Sequence, residues 1–70
     1  MTRVRQVRGD QGPRVVELQE ALIELGYVLG SADGAFGPKT HCAVILFQHQ
    51  SGLAKDGIAG QRTMAALGMI

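Results

Sequence analysis

Asp33 and Asp56, each followed by a glycine, are the residues of this 70-residue chain whose type best suits acid–base chemistry. Two carboxylates facing each other across a glycosidic bond can hydrolyse it. Here each aspartate stands in an Asp-Gly turn, where its carboxylate accepts hydrogen bonds from nearby backbone N–H groups. Such bonds favour the charged form and lower the pKa, the wrong direction for a general acid. Both are therefore read as turn-makers, and Glu17, Glu20 and Glu24 as solvated charges on a polar helix face. A metal site fares no better. His41 and Cys42 are neighbours and point about 100° apart on a helix, and His49 stands roughly 10.5 Å along the axis from Cys42. There is no His-Glu-x-x-His or Cys-x-x-Cys run and no phosphate loop or dinucleotide fingerprint. Cys42 is expected to be a half-buried, unactivated thiol, since nothing near it in sequence would lower its pKa. The expectation is no catalysis, no metal and no cofactor.

The elements that position these residues carry a repeat. Residues 33–44, beginning Asp33-Gly34-Ala35-Phe36-Gly37-Pro38-Lys39-Thr40, align without gaps on residues 56–67, beginning Asp56-Gly57-Ile58-Ala59-Gly60-Gln61-Arg62-Thr63. In each unit the Asp-Gly pair makes a turn, the second glycine caps or closely approaches a helix, and the threonine falls in the first helical turn. Lys39 matches Arg62. Two such loop–helix units can stack with pseudo-twofold symmetry, leaving a first helix to cover them.

That first helix reads from Pro13, with Gly12 or Asp10 as its cap, to a stop at Gly26. Val15, Leu18, Leu22 and Leu25 form its apolar stripe, widened by Ala21. The segment 27–37 is a loop with a short extended piece expected at Tyr27–Leu29. A second helix spans Pro38–Gln50 with Thr40, Ala43, Val44 and Phe47 inward. A third runs from Gln61 to Leu67 with Thr63, Ala66 and Leu67 inward. The fold class is all-α, a compact three-helix bundle.

Composition agrees with one small domain over residues 1–70. Apolar residues make up 46% of the chain, the aromatics are only Tyr27, Phe36 and Phe47, and there is a single cysteine, so no internal disulfide forms. No segment approaches the run of about 18 apolar residues that a membrane span needs, and no signal peptide is visible. Net charge is +1. It is uneven: Arg3, Arg5, Arg8 and Arg14 make the first fourteen residues basic and the remainder is acidic. Residues 1–8 are read as a basic N-terminal arm, free to flex. Three short helices and a basic arm raise the possibility of a helix-turn-helix reader. However, the basic and amide side chains are scattered around helix 2 and few on helix 3, and the connecting loops are long and glycine-rich. No nucleic-acid partner is expected, no membrane, and a monomer.

Four pieces now stand in order: Arg8-Gly9-Asp10-x-Gly12; Val15-x-x-Leu18-Gln19-x-x-Leu22-x-x-Leu25-Gly26-Tyr27; Asp33-Gly34-x-Phe36-Gly37-x-x-Thr40-x-x-Ala43-Val44-x-x-Phe47-Gln48; and Gly52-Leu53-x-x-Asp56-Gly57-x-x-Gly60-x-x-Thr63-x-x-Ala66-Leu67. From Val7 to Leu67 the chain resembles the peptidoglycan-binding domain family, short three-helix modules of lytic enzymes and other cell-wall proteins. One departure is Met64, where members often carry Trp, a better platform for a sugar ring. The resemblance implies non-catalytic binding of bacterial cell-wall peptidoglycan, glycan strand or stem peptide, that targets a covalently linked wall-active enzyme. It implies a place in the cell wall, the periplasm or outside the cell, reached by an export signal elsewhere or by lysis, as for a phage lysin. A docking or prodomain-like module that packs on a partner enzyme is the alternative.

The residues themselves suggest where a ligand would sit. Helix N-termini offer unpaired N–H groups and a favourable dipole to anions, and Lys39 and Arg62 strengthen that field. Tyr27 offers an aromatic face and a hydroxyl. The candidate ligand-binding residues are Tyr27, Asp33, Phe36, Gly37, Lys39, Thr40, Gln48, Asp56 and Arg62, gathered in one shallow groove between the two repeat loops and the end of helix 1. Phe36 and Phe47 also suit the core. Gln19 and Gln48, each following a core residue, also suit hydrogen bonds to loop backbone.

Overall fold

The computed structural model describes residues 5–70. Three helices follow in chain order: α1 (Pro13–Glu24), α2 (Pro38–Gln50) and α3 (Gln61–Ala66). Glycine caps each start, Gly12, Gly37 and Gly60, and proline occupies the first turn of α1 and α2. Proline suits that position because its missing N–H would be unpaired there anyway. The three helices also stop alike. Past each end a glycine with positive φ, Gly26, Gly52 or Gly68, turns the chain. The next residue then donates back to the helix: Tyr27 N–H to Leu22 O at 3.1 Å, Leu53 to Gln48 O at 2.8 Å, and Met69 to Met64 O at 2.9 Å. This is the double-bonded glycine stop that satisfies otherwise orphaned carbonyls.

Val15, Leu18 and Leu22 of α1 meet Ala43, Val44 and Phe47 of α2, and Leu29, Phe36, Ala59 and Met64 complete the core. Two inward assignments change. Leu25 is 55% exposed, because it lies past the last turn of α1, where the chain swings away. On α3 it is Met64 that is buried beside Thr63, while Ala66 faces outward and Leu67 is half-buried. In a six-residue helix the longer side chain of Met64, two places before the end, reaches the core that alanine cannot. Cys42 is exposed rather than half-buried. Tyr27–Leu29 forms neither a strand nor a bridge.

The extended pairing occurs at the N-terminal segment instead. Gln6 exchanges both main-chain bonds with Ala59, at 3.0 and 2.9 Å. Further along, Phe36 N–H bonds Asp10 O and Gly9 N–H bonds Phe36 O, both at 2.9 Å, and Gly12 N–H bonds Gly34 O at 2.9 Å. Phe36 and Ala59 are equivalent positions of the repeat, so one segment ties both loops together. Within the expected basic arm, Gln6 is paired with the second loop at Ala59. Residues 1–4, with Arg3, lie outside the described residues.

Candidate ligand-binding site

Each repeat loop is held by a glutamine from the preceding helix. Gln19 of α1 donates from Nε2 to Asp33 Oδ1 (3.1 Å), Ala35 O (3.0 Å) and Thr40 Oγ1 (3.0 Å), and its Oε1 accepts from Gly34 N–H at 2.9 Å. Asp33 Oδ1 also accepts from Ala35 N–H at 3.0 Å. Gln48 of α2 repeats every bond. It donates to Asp56 Oδ1 (3.0 Å), Ile58 O (2.9 Å) and Thr63 Oγ1 (3.1 Å), and accepts from Gly57 N–H at 3.1 Å. Asp56 Oδ1 accepts from Ile58 N–H at 2.9 Å. Both glutamines are 1% exposed. A buried amide needs such partners, since an unpaired one is costly.

These bonds set the charge state of the aspartates. The Ala35 N–H first, then the Gln19 amide, hold the Asp33 carboxyl below the usual carboxylate range. Asp56 is lowered chiefly by the Ile58 N–H, with help from Gln48 and the Arg5 charge against a partial desolvation. Both are held in the anionic form by bonds to Oδ1, which is unfavourable for an acid catalyst.

The structure separates the expected groove into two clefts that share no residue. One, of about 350 Å³, opens on the first loop and is lined by Asp33, Gly37, Lys39 and Thr40 together with Gln19 and Leu29. The other, of about 400 Å³, opens on the second loop and is lined by Gln48, Asp56 and Arg62 together with Leu53, Ile58 and Thr63. Lys39 and Arg62 are exposed at the equivalent rims, each at the second position of its helix. Tyr27 and Phe36 line neither cleft. Phe36 is 2% exposed and belongs to the core, so its ring offers no face to a ligand. Tyr27 packs edge-on against Phe47 with ring centroids 6.0 Å apart, and its hydroxyl bonds the Gln50 side chain. Thr40 and Gln48 present little surface because both are committed to the loop locks. The parts of the expected set that remain open to solvent at the clefts are Lys39 and Arg62, with the outer faces of Asp33 and Asp56.

Among the described residues no group of three or more His, Cys, Asp or Glu could hold a metal ion, and no helix is long and apolar enough to cross a membrane. Sequence reasoning missed a third cleft, at the start of α1, because it is built by the pairing of residues 5–11 with the loops. It also missed the packing of His41 over Gly57.

Three helices, two glutamine-locked loops and shallow open clefts define a small binding module. The sequence model of the peptidoglycan binding domain family matches residues 11–67. The N-acetylmuramoyl-L-alanine amidase CwlM of Mycobacterium tuberculosis is 45% identical over 80% of this chain, which spans 14% of that protein. The spore cortex-lytic enzyme of Bacillus subtilis is 46% identical over 86% of the chain, which spans 20% of it. The solved SleB N-terminal domain superposes with a TM-score of 0.91 at 38% identity, covering 97% of this chain and 93% of that one. The chain belongs to the peptidoglycan-binding domain family and is a non-catalytic binding module.

Proposed function

We propose that this module holds a covalently linked wall-active enzyme on bacterial peptidoglycan, at the cell wall or outside the cell. The observation that carries this reading is the family match over nearly the whole chain, supported by relatives whose names are those of wall-lytic enzymes and in which the matched part is a minor fraction. On this reading the chain acts as a monomer and contacts neither nucleic acid nor membrane. Lys39 and Arg62, at the rims of the two repeat clefts, supply positive charge to the carboxylates of stem peptides. The wall polymer repeats, and two related clefts on one small body suit engagement at more than one point.

Sedimentation with purified peptidoglycan sacculi tests this. The 70-residue chain should pellet with sacculi at physiological salt, and the Lys39→Ala, Arg62→Ala double variant should stay largely in the supernatant. Complete recovery of the parent chain in the supernatant would overturn the proposal.

A further inference from the structure

Asp33 and Asp56 each precede a glycine, while the chain's other aspartate, Asp10, precedes Gln11, and there is no asparagine. An aspartyl-glycine pair is the least hindered setting for a backbone rearrangement, because glycine has no side chain to shield its main-chain nitrogen. That nitrogen attacks the Cγ of the neutral carboxyl group and an N–C bond forms. The carboxyl hydroxyl leaves as water with the nitrogen's proton. The five-membered succinimide then takes up one water at either carbonyl. Opening at one restores aspartate. Opening at the other gives isoaspartate, in which the main chain runs through the former side chain and is one methylene longer. The fold cannot avoid this pair. Gly34 and Gly57 have φ of 82° and 73°, a region that other residues enter only with strain, and each aspartate must accept from the N–H two residues on.

Each glutamine lock holds both reacting groups at once. Gln19 Oε1 accepts the Gly34 N–H at 2.9 Å, and Nε2 of the same side chain donates to Asp33 Oδ1 at 3.1 Å. Gln48 holds Gly57 and Asp56 in the same way, at 3.1 and 3.0 Å. A carboxamide oxygen is too weak a base to remove the amide proton, so the nitrogen stays protonated. Gly34 and Gly57 are buried, and both glutamines are 1% exposed, so solvent base is kept from the same hydrogen. On the other side, two donors fix Oδ1 of each aspartate and oppose the rotation that carries Cγ onto the nitrogen. The Ala35 and Ile58 N–H groups also keep the carboxyls charged, and a carboxylate is a poorer electrophile than the neutral acid. Every requirement of the reaction therefore waits on the opening of the lock.

We infer that Asp33-Gly34 and Asp56-Gly57 are paired sites of isoaspartate formation, and that Gln19 and Gln48 each keep one pair unreacted until its loop opens. The product cannot be locked again. Isoaspartate carries its free carboxylate on the main-chain carbon and lengthens the turn, so the four bonds to the glutamine have no matching partners. Each loop is thereby open to a single irreversible loss, independent of what the module binds.

The test is prolonged incubation of the 70-residue chain at neutral pH, followed by peptide mapping that separates isoaspartate from aspartate at each pair. Gln48→Leu should raise isoaspartate at Asp56-Gly57 by about tenfold or more and leave Asp33-Gly34 at the parent rate, and Gln19→Leu should do the reverse, because the rate follows the population of the open loop. Val15→Ala is the control. Val15 is 1% exposed in the core, so its truncation lowers global stability through a cavity while leaving both locks their donors and acceptors. Compared at temperatures that give the same fraction folded, it should favour neither pair. Acceleration by the glutamine variants that is no larger than the control's, or that is equal at both pairs, would overturn the inference. Where a glutamine variant does not fold, the parent chain decides. In urea below its unfolding transition, isoaspartate at each pair should rise in proportion to the hydrogen exchange of the Gly34 or Gly57 N–H read by NMR. Isomerisation that is independent of that exchange sinks the idea.

Discussion

Gln19 holds the Asp33 loop and Gln48 holds the Asp56 loop through the same four hydrogen bonds, yet the apolar surroundings of the two units differ. In the first unit the bulk comes from the loop: Phe36 fills the core, and the helix position that matches Met64 is the half-buried His41. In the second unit Ala59 takes the place of Phe36, and the bulk comes from the helix as Met64. The loops also reach their helices over different lengths of chain. Fourteen residues separate Gln19 from Asp33, and eight separate Gln48 from Asp56. A polar lock tolerates none of this variation in its own members. Its donors and acceptors must match atom for atom, since any one left unpaired in the interior carries a large penalty. Apolar volume, by contrast, can be supplied from either side as long as the space is filled. The repeat therefore keeps Asp, Gly and Thr identical and lets the aromatic and aliphatic positions drift.

The comparison predicts equal dependence on the two glutamines. Gln19→Leu and Gln48→Leu each strand a buried glycine N–H and a threonine hydroxyl, so each should cost about 3 kcal/mol by the usual penalty for orphaned buried groups. Urea unfolding followed by circular dichroism measures both. A loss in one variant more than twice that in the other would break the equivalence of the locks.

The glycines that donate to these glutamines should separate the units. A Cβ at Gly57 would lie 2.3 Å from His41 Nε2, whereas one at Gly34 would lie 3.1 Å from Val16 Cγ2, and both positions have positive φ. Gly57→Ala and Gly34→Ala share the backbone strain, about 1 kcal/mol. Gly57→Ala additionally displaces an imidazole, for a total of about 2 kcal/mol. Adding His41→Ala to Gly57→Ala should recover that extra part, which a double-mutant cycle reads directly. No recovery would mean that the His41 contact is not what distinguishes the two loops.

The smallest effects concern pH and salt. Both aspartates have folded pKa values below the ordinary value of 3.8. Their contribution to stability is therefore fully present above pH 3.8 and is lost as pH falls through the lowered folded values. Carboxyl carbon shifts followed by NMR should place both midpoints below 3.8. Only Asp56 feels a cation, Arg5, so raising the salt to 0.5 M should move its midpoint upward while Asp33 stays in place. Equal movement of both would remove Arg5 from the account.

Much of the helical frame was legible in the residues. Pro13, Pro38 and the glycines at the ends carry their meaning locally, because φ restrictions and missing donors act within one or two residues. That is why α2 falls where the pattern puts it, at Pro38–Gln50. The aspartates' role as charged turn-makers was legible for the same reason, since the Ala35 and Ile58 N–H groups that they accept lie two residues on. Gln19 and Gln48 were only partly legible. Their position after a core residue suggested backbone hydrogen bonds, but their full partner sets lie up to 21 residues away. Phe36 could not be assigned from its neighbours, as an aromatic in a glycine-rich loop suits a core and a ligand platform alike.

The sequence by itself determined three helices, two matched Asp-Gly turns and the likeness to a family, all of which rest on local backbone chemistry and on spacing. Only the tertiary structure decided that one N-terminal segment joins both loops, that the single expected groove is two clefts, and that a third cleft opens at the start of α1. Those features arise from pairs of residues brought together by the packed core, Gln6 with Ala59 and Gln11 with Ala35. Such pairing is a property of the whole chain's closure, and no local propensity in residues 5–11 encodes it.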